Sequence, residues 1–225
     1  MGANVGAGGN SVASLLGRLM LGTISNCRAL ECDVSGRRSV GGLVGYSGAG
    51  IIDGCSVSGD VSGEDQVGGV VGNITHGTVT DSHAQANVSG KSKAGGLAGG
   101  NGALGTMGNS YATGEVSGET DVGGFVGSNG RGTILCCYST GSVTGSHDVG
   151  GLAGVNSGTI ADCFWDNWTS GKGYMCGEQG WGGTGCTSEG VKSTPKMQTV
   201  GTFLGAGWDF VGETENGTED IWCIC

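Results

Sequence analysis

Evenly spaced carboxylates are the first candidates for chemistry in this chain of 225 residues. Asp33 is followed by Asp60, and Asp81 is followed by Asp162 at three times that spacing. A carboxylate pair cleaves glycosidic bonds when its two carboxyl groups lie about 5 to 10 Å apart. Whether either pair meets this condition depends on how the fold stacks side chains that recur at this spacing.

Histidine and cysteine are the remaining residues that could bind metals or form crosslinks. His76, His83 and His147 lack the spacing of metal ligands, so we expect them on the surface. Cys223 and Cys225 suit either a metal site or terminal disulfides, and we favour disulfides. The ten cysteines, an even number, favour an oxidising compartment. The chain has no credible phosphate-binding loop, and we predict no cofactor and no metal.

An internal repeat supplies the elements that must position these side chains. A Val-Gly-Gly phrase, once Ala-Gly-Gly, recurs at nearly constant intervals. It begins at Val40, Val67, Ala94, Val122 and Val149. Each period contains three short apolar phrases separated by glycine and small polar residues, without a helical stripe. The pattern predicts an all-β fold, a parallel β-solenoid of about six coils with three short strands per coil.

The glycines and the apolar residues both suit such a solenoid. Corners of a narrow coil need positive φ or close backbone packing, which explains the 53 glycines. Two apolar columns are predicted to fill the core. One contains Ile24, Ile52, Val79, Met107, Ile134 and Ile160, and the other contains Val34, Val61, Val88, Val116 and Val143.

The solenoid also places the carboxylates. With about 4.8 Å per coil, Asp81 and Asp162 lie about 14 Å apart, too far for a glycosidase pair. Asp33 and Asp60 stack one coil apart, near the separation of a retaining pair, but the first coil has an extra residue there. We predict no catalytic residue.

A third column mixes cysteine with serine. Its members are Cys27, Cys55, Ser82, Ser110, Cys137 and Cys163. Disulfides Cys27–Cys55 and Cys137–Cys163 are one interpretation, and small buried thiols are the other. The sequence leaves both open.

One corner carries charges whose sign alternates from coil to coil. The successive pairs are Arg37 with Arg38, Glu64 with Asp65, Lys91 with Lys93, and Glu119 with Asp121. Exposed ion pairs contribute only about 0 to 1 kcal/mol each. We therefore interpret this ladder as a device that fixes the register of the coils, because a slip by one coil would bring like charges together.

Composition excludes two classes of partner. The net charge of −10 would repel phosphate backbones, so we expect no nucleic acid. No run of eighteen apolar residues exists, so we expect no insertion into a membrane. Residues 1–12 are uncharged and glycine-rich, and we predict a flexible arm there.

The repeats resemble the GLUG motif, named for its Gly-Leu-any-Gly core. That core stands here as Gly42-Leu43-Val44-Gly45, Gly96-Leu97-Ala98-Gly99 and Gly151-Leu152-Ala153-Gly154. The resemblance spans residues 13–163. It implies a secreted or surface-attached β-helical array, as in adhesins and in non-catalytic regions of large secreted proteins, including some immunoglobulin A peptidases.

Residues 164–225 differ in composition and resemble the segment that often follows such arrays. All five tryptophans lie there, and we predict a cap with a loop closed by Cys176 and Cys186 and a short helix from Thr194 and Pro195. Its tryptophans either fill the cap core, which we favour, or stack on sugar rings. Candidate N-glycosylation sites are Asn73, Asn87, Asn167 and Asn216.

These observations predict a non-enzymatic, extracellular or cell-surface β-solenoid that acts as an adhesin module or assembles end to end into a fibre. Its expected partners are further copies of itself and cell-surface or matrix glycans. The alternatives are a carbohydrate-binding or stalk module of a larger secreted enzyme and, less favoured, a polysaccharide-degrading enzyme.

Overall fold

The computed structural model describes residues 4–6, 8–206 and 208, and most of them lie in short strands or tight turns. The N-terminal strands are β1 (Asn4–Gly6), β2 (Asn10–Ala13), β3 (Leu16–Leu19), β4 (Thr23–Ser25), β5 (Arg28–Ser35), β6 (Arg38–Gly41), β7 (Val44–Ser47) and β8 (Ile51–Asp53). The central strands are β9 (Ser56–Gly68), β10 (Val71–Ile74), β11 (Thr78–Thr80), β12 (His83–Ala84), β13 (Asn87–Gly95), β14 (Ala98–Asn101), β15 (Thr106–Gly108), β16 (Tyr111–Ala112), β17 (Val116–Gly123), β18 (Val126–Asn129) and β19 (Thr133–Leu135). The remaining elements are β20 (Tyr138–Ser139), β21 (Val143–Thr144), β22 (His147–Gly150), β23 (Ala153–Asn156), β24 (Thr159–Ala161), β25 (Phe164–Asp166), α1 (Asn167–Ser170), β26 (Cys176–Gln179), a 3-10 turn at Ser188–Gly190, β27 (Val191–Lys192), α2 (Thr194–Met197) and α3 (Val200–Leu204).

The strands form three parallel sheets that run along one stack of coils. The second sheet has seven strands in the order β26-β23-β18-β14-β10-β7-β3, and the third has six in the order β24-β19-β15-β11-β8-β4. The first and largest sheet contains the other fourteen strands. The predicted parallel β-solenoid is confirmed, and the second sheet has one layer more than the six coils expected from the repeats.

Both predicted apolar columns lie inside the stack. Val79 is the register partner of Ile52 and Met107, and all three side chains are fully buried. The valine column is paired in the same way, for example Val88 with Val61 and Val116. Each layer therefore buries its β-branched side chains against those of the next layer.

Close backbone contact, rather than positive φ, is the main use of the repeat glycines. A Cβ atom added to Gly95 would lie 2.1 Å from the carbonyl oxygen of Ala98, and one added to Gly41 would lie 2.1 Å from that of Val44. Polar residues take most of the left-handed corners instead. One corner has Ser11, Ser39, Gln66, Lys93, Asp121 and Asp148 at φ values of 52° to 58°.

A buried asparagine ladder connects three layers of the second sheet with the C-terminal segment. Asn101 Nδ2 donates to Asn129 Oδ1 at 3.0 Å, and Asn129 Nδ2 donates to Asn156 Oδ1 at 2.8 Å. Asn156 Nδ2 then donates to the carbonyl oxygen of Thr184 at 2.9 Å. The three amides are at most 1% exposed, so their mutual hydrogen bonds satisfy groups that water cannot reach.

The two ends of the stack differ from the predicted boundaries. The arm predicted over residues 1–12 contains strand β1 and the first three residues of β2, and these strands pair in parallel with β5 and β6. At the other end, β26 of the predicted cap continues the second sheet beyond β23. The predicted helix is present as α2, which begins at Thr194 with Pro195 in its first turn. Strand pairing therefore extends the solenoid beyond the predicted boundary at each end.

Candidate functional site

The carboxylates of Asp33 and Asp60 belong to a column on the outside of the first sheet. Asp33 and Asp60 are register partners, and the extra residue of the first coil produces a register shift between Ala29 and Cys32. Asn87 Nδ2 donates to Asp60 Oδ1 at 3.0 Å, and the backbone N–H of Glu115 donates to Asn87 Oδ1 at 3.3 Å. The Asp60 carboxylate is thus held in an inter-coil hydrogen-bond ladder.

A shallow groove follows this column. It has a volume of about 190 Å³ and is lined by the Asp60, Asn87 and Glu115 column and by the outward-facing serines Ser62, Ser89 and Ser117. Its polar side chains repeat from layer to layer, which is the arrangement of a structural ladder.

Asp81 and Asp162 lie at a different corner, where they occupy left-handed turn positions. Both have positive φ, at 50° and 52°. Asn26 and Asn109 take the same conformation, at 54° and 49°. Asp and Asn tolerate the left-handed region better than most residues because their short polar side chains can hydrogen-bond locally. The regular spacing of Asp81 and Asp162 therefore reflects a turn requirement.

The charged corner forms ion pairs across the first three coils. Arg37 contacts Glu64 at 3.4 Å, and Lys91 contacts the same carboxylate at 3.8 Å. Arg38 contacts Asp65 at 2.9 Å. Glu64 thus lies between a cation of the coil before it and a cation of the coil after it.

Further along the same corner, Lys93 and Asp121 occupy one column together with Gln66. Burial raises the pKa of Asp121, and the positive charge of Lys93 opposes that shift. Glu119 follows Lys91 in the neighbouring column. The predicted alternation of charge therefore continues by position into the fourth coil.

The cysteines and serines of the mixed column make the same hydrogen bonds at a turn. Ser82 Oγ donates to the carbonyl oxygen of Thr80 and accepts the N–H of Cys55 at 3.0 Å. Cys163 Sγ likewise lies 3.0 Å from the carbonyl oxygen of Ala161 and accepts the N–H of Cys137 at 3.4 Å. A thiol and a hydroxyl can both donate to the preceding turn and accept from the previous coil, which explains why either residue type occupies this column.

Of the predicted disulfides, the structure contains Cys176–Cys186, with an S–S distance of 2.08 Å. Cys27, Cys55, Cys137 and Cys163 carry free thiols, which corresponds to the ladder interpretation of their column. Burial raises the pKa values of Cys55 and Cys137. Cys223 and Cys225 lie outside the described residues.

The candidate glycosylation sites have different environments. Asn87 is exposed, but its amide is engaged by Asp60. Asn73 is half-buried on β10, and Asn167 is half-buried at the start of α1. Asn216 lies outside the described residues.

An aromatic ladder that was not predicted from the sequence joins the solenoid to the cap. The rings of His83 and Tyr111 are parallel at 4.8 Å, and those of Tyr111 and Tyr138 at 4.9 Å. Tyr138 then contacts Phe203 and Trp208. Their spacing, which equals the period of the repeat, was the available signal. Burial and Arg28 lower the pKa of His83, which is half-buried rather than a surface residue.

The four tryptophans of the C-terminal segment that the structure describes divide into two groups, and Trp222 lies outside the described residues. Trp165 and Trp208 are buried, with exposed fractions of 0% and 2%. Trp168 and Trp181 are 67% and 95% exposed, and Tyr174 near them in sequence is 80% exposed. The predicted cap core thus takes two tryptophans, while two others face solvent.

Two structural indicators of function, a metal-binding cluster and a membrane-spanning helix, are absent from residues 4–6, 8–206 and 208. No group of three or more acidic, cysteine or histidine side chains there is placed to hold a metal ion. No helix in this part of the chain has the length and hydropathy to cross a membrane.

Comparisons with known proteins agree with this architecture. The model of the GLUG motif matches residues 36–62. A search of curated proteins gave no match. Among solved structures, the chain is similar to a "putative immunoglobulin A1 protease" from Bacteroides ovatus, with a TM-score of 0.70 and 20% identity over 91% of this chain and 69% of that chain. At this identity the likeness shows the fold alone, and the chain carries a GLUG motif on a β-solenoid.

Proposed function

We propose that this protein is a non-enzymatic, extracellular structural module, a stiff β-solenoid that spaces or attaches other surfaces. The observation that carries the proposal is that polar side chains on its surface form hydrogen bonds between neighbouring coils. Asp60, Asn87 and Glu64 are bonded to neighbouring coils, so they stabilise register instead of converging on a substrate. A solenoid of this kind has a length set by its number of coils, about 4.8 Å for each.

Two observations support the extracellular location. The Cys176–Cys186 disulfide is of the kind that persists in oxidising compartments. The similar Bacteroides ovatus structure is described as a "putative" protease of an immunoglobulin, and immunoglobulins are extracellular. The adhesive role extends the same proposal, since a rod on a cell surface presents its free end to other surfaces.

Duplication of one coil tests the structural role. Val67 and Ala94 are register partners, so an inserted copy of residues 67–93 keeps every column aligned. We expect a folded protein whose long dimension, measured by small-angle X-ray scattering, grows by about 4.8 Å. Loss of the fold on duplication would contradict a modular rod.

Turnover assays test the competing enzyme hypothesis. We expect no release of reducing ends from polyuronates or β-glycans by the full chain. Turnover that Asp60→Asn abolishes, and that Glu119→Gln at the exposed charged corner leaves intact, would replace our proposal with a polysaccharide-degrading enzyme.

A second candidate function is carbohydrate binding, favoured by the exposure of Trp168, Tyr174 and Trp181. Exposed aromatic rings stack on sugar faces at low entropic cost, because their side chains have few rotatable bonds. Saturable binding on a glycan array that Trp181→Ala removes would establish this role. Leu104→Ala, at a residue that is 69% exposed in the middle of the solenoid, is the matched control.

A further inference from the structure

Large apolar side chains are exposed mainly at the two ends of the stack. Eleven such residues are exposed in the described part of the chain, and only three of them lie between the ends. Five belong to the first coil: Leu15, Leu16, Met20, Leu21 and Leu30. Three belong to the C-terminal segment: Trp168, Tyr174 and Trp181.

At the N-terminal end of the second sheet, no strand of the described residues covers β3. Leu16 is 38% exposed, whereas its register partner Val44 in the next layer is 0% exposed. Leu15 is 50% exposed, and Leu43, which precedes Val44, is 2% exposed. The first coil therefore exposes Leu15 and Leu16 at positions that are buried in the next layer, while Val12, Leu19 and Ile24 of the same coil remain buried.

The second sheet has an accessible strand at each end. Within the described residues, β3 pairs only with β7, and β26 pairs only with β23. Strand edges of this kind invite pairing with another chain. Arg18 of β3 and Glu178 of β26 are both exposed at these edges.

These two charges occupy one column of the sheet. Starting from Arg18, the register partners are Tyr46, Asn73, Gly100, Ser128, Val155 and finally Glu178. A second chain added in the same parallel register, with its β3 against β26 of the first, would therefore place Arg18 beside Glu178. Neither residue takes part in the ion pairs that the described residues form.

The distribution of charge along the whole chain has the same direction as this pair, with positive charge towards the N-terminus and negative charge in the rest. Residues 1–40 contain four basic and two acidic side chains, whereas the remaining residues contain six basic and eighteen acidic ones. An N-terminal end that is positive is attracted to the acidic remainder of another copy.

We propose that copies of this chain associate head to tail, with β3 of one copy pairing with β26 of the next and Arg18 contacting Glu178 across the joint. The proposal rests on the structural role proposed above and names its partner, a second copy of the chain. The exposed leucines of the first coil then pack against the exposed aromatic residues of the preceding copy. Because a head-to-tail contact without closure repeats, the product is a filament.

Charge reversal tests the joint with the full-length chain. We expect the wild type to sediment as a concentration-dependent series of oligomers. Arg18→Glu alone and Glu178→Arg alone should each raise the dissociation constant at least about tenfold at about 50 mM salt, because like charges then meet. An equimolar mixture of the two variants should recover assembly, because each variant supplies the complementary end for the other.

The matched controls reverse exposed charges away from both ends. Arg131→Glu and Glu119→Arg should leave the dissociation constant unchanged, and circular dichroism should show that all four variants are folded. As a second measurement, Arg18→Lys followed by carbodiimide coupling should give a crosslink between position 18 of one chain and Glu178 of another, identified by mass spectrometry. Isotope-labelled and unlabelled chains identify it as intermolecular.

Three results would overturn the proposal. A wild type that is monomeric up to about 100 µM has no such joint. A mixture of the two variants that does not assemble excludes complementary ends. Assembly that Arg18→Glu blocks and Glu178→Arg leaves intact excludes Glu178 from the joint. In each case the coil-duplication experiment still tests the structural role by itself.

Discussion

Removal of one amide from the buried asparagine ladder should destabilise the whole protein. The change is Asn129→Ala, at the centre of the ladder, where the side chain is 0% exposed. Asn129 accepts one hydrogen bond from Asn101 and donates to Asn156, and its amide also lies 3.2 Å from the carbonyl oxygen of Gly132. All of these bonds are lost together.

The magnitude follows from what the neighbouring groups retain. Asn101 Nδ2 keeps its bond to the carbonyl oxygen of Gly105, and Asn156 Oδ1 keeps the N–H of Gly158, so neither partner becomes fully unsatisfied. Each lost bond then costs about 1 kcal/mol, and the small cavity adds to this cost. We expect a loss of about 3 kcal/mol in the free energy of unfolding.

Urea unfolding followed by circular dichroism measures this loss. Asn73→Ala, a half-buried asparagine on the outer face of the same sheet, is the control and should cost less than about 1 kcal/mol. The near-isosteric variant Asn129→Asp separates hydrogen bonding from packing. Burial raises the folded-state pKa of a carboxyl group above its unfolded value near 4. This variant should therefore be least destabilised at or below about pH 4, and its loss of stability should be larger at pH 7. Equal losses for Asn129→Ala and Asn73→Ala would refute the ladder as a source of stability.

Three further changes test the other structural arguments. Ile74→Asn should extend the ladder, because Asn101 Oδ1 and Ser47 Oγ on either side of it are buried without a partner in the described structure. Its cost in unfolding free energy should be at least about 2 kcal/mol smaller than that of Ile52→Asn, whose register partners Ile24 and Val79 are apolar. Equal costs for the two variants would contradict the argument. Gly95→Ala should cost more than about 3 kcal/mol, since its Cβ would lie 2.1 Å from a carbonyl oxygen, whereas Gly173→Ala has open space and should stay within about 1 kcal/mol; thermal melts compare the two. Burial raises the pKa of Cys136 to about 11. The alkylation rate of its thiol should therefore rise about tenfold per pH unit from pH 8 to 10, measured by mass spectrometry of the Cys136 peptide. A plateau of the rate near pH 9 would contradict this environment.

Much of the fold was predictable because the period of a repeat determines which residues of successive coils are register partners. The periodic recurrence of valine and isoleucine fixed which side chains meet, and Val88 with Val61 and Val116 shows that the columns were aligned correctly. The use of glycine was harder to predict. A period reveals that Gly95 recurs, but only the distance to Ala98 reveals that close contact, and not positive φ, requires it.

The ends could not be predicted from the repeat because they depart from it. Asn4–Gly6 and Asn10–Ala13 carry no repeat phrase, yet they form strands because the first full coil offers an edge to pair with. Asn101, Asn129 and Asn156 recur with the period of the repeat, but the sequence alone does not distinguish buried asparagines from those in loops. The same spacing that suggested carboxylate chemistry at Asp81 and Asp162 marks a left-handed turn.

Directionality follows from the difference between the two ends. Every register pair in the stack is parallel, so the solenoid has one N-terminal face, with Arg18 and the exposed leucines, and one C-terminal face, with Glu178 and the exposed aromatic residues. A contact between two N-terminal faces would pair β3 with its own copy and bring two Arg18 side chains close together. A contact between unlike faces keeps the strands parallel and brings opposite charges together. The column that links Arg18 to Glu178 therefore favours a polar filament over a symmetric dimer.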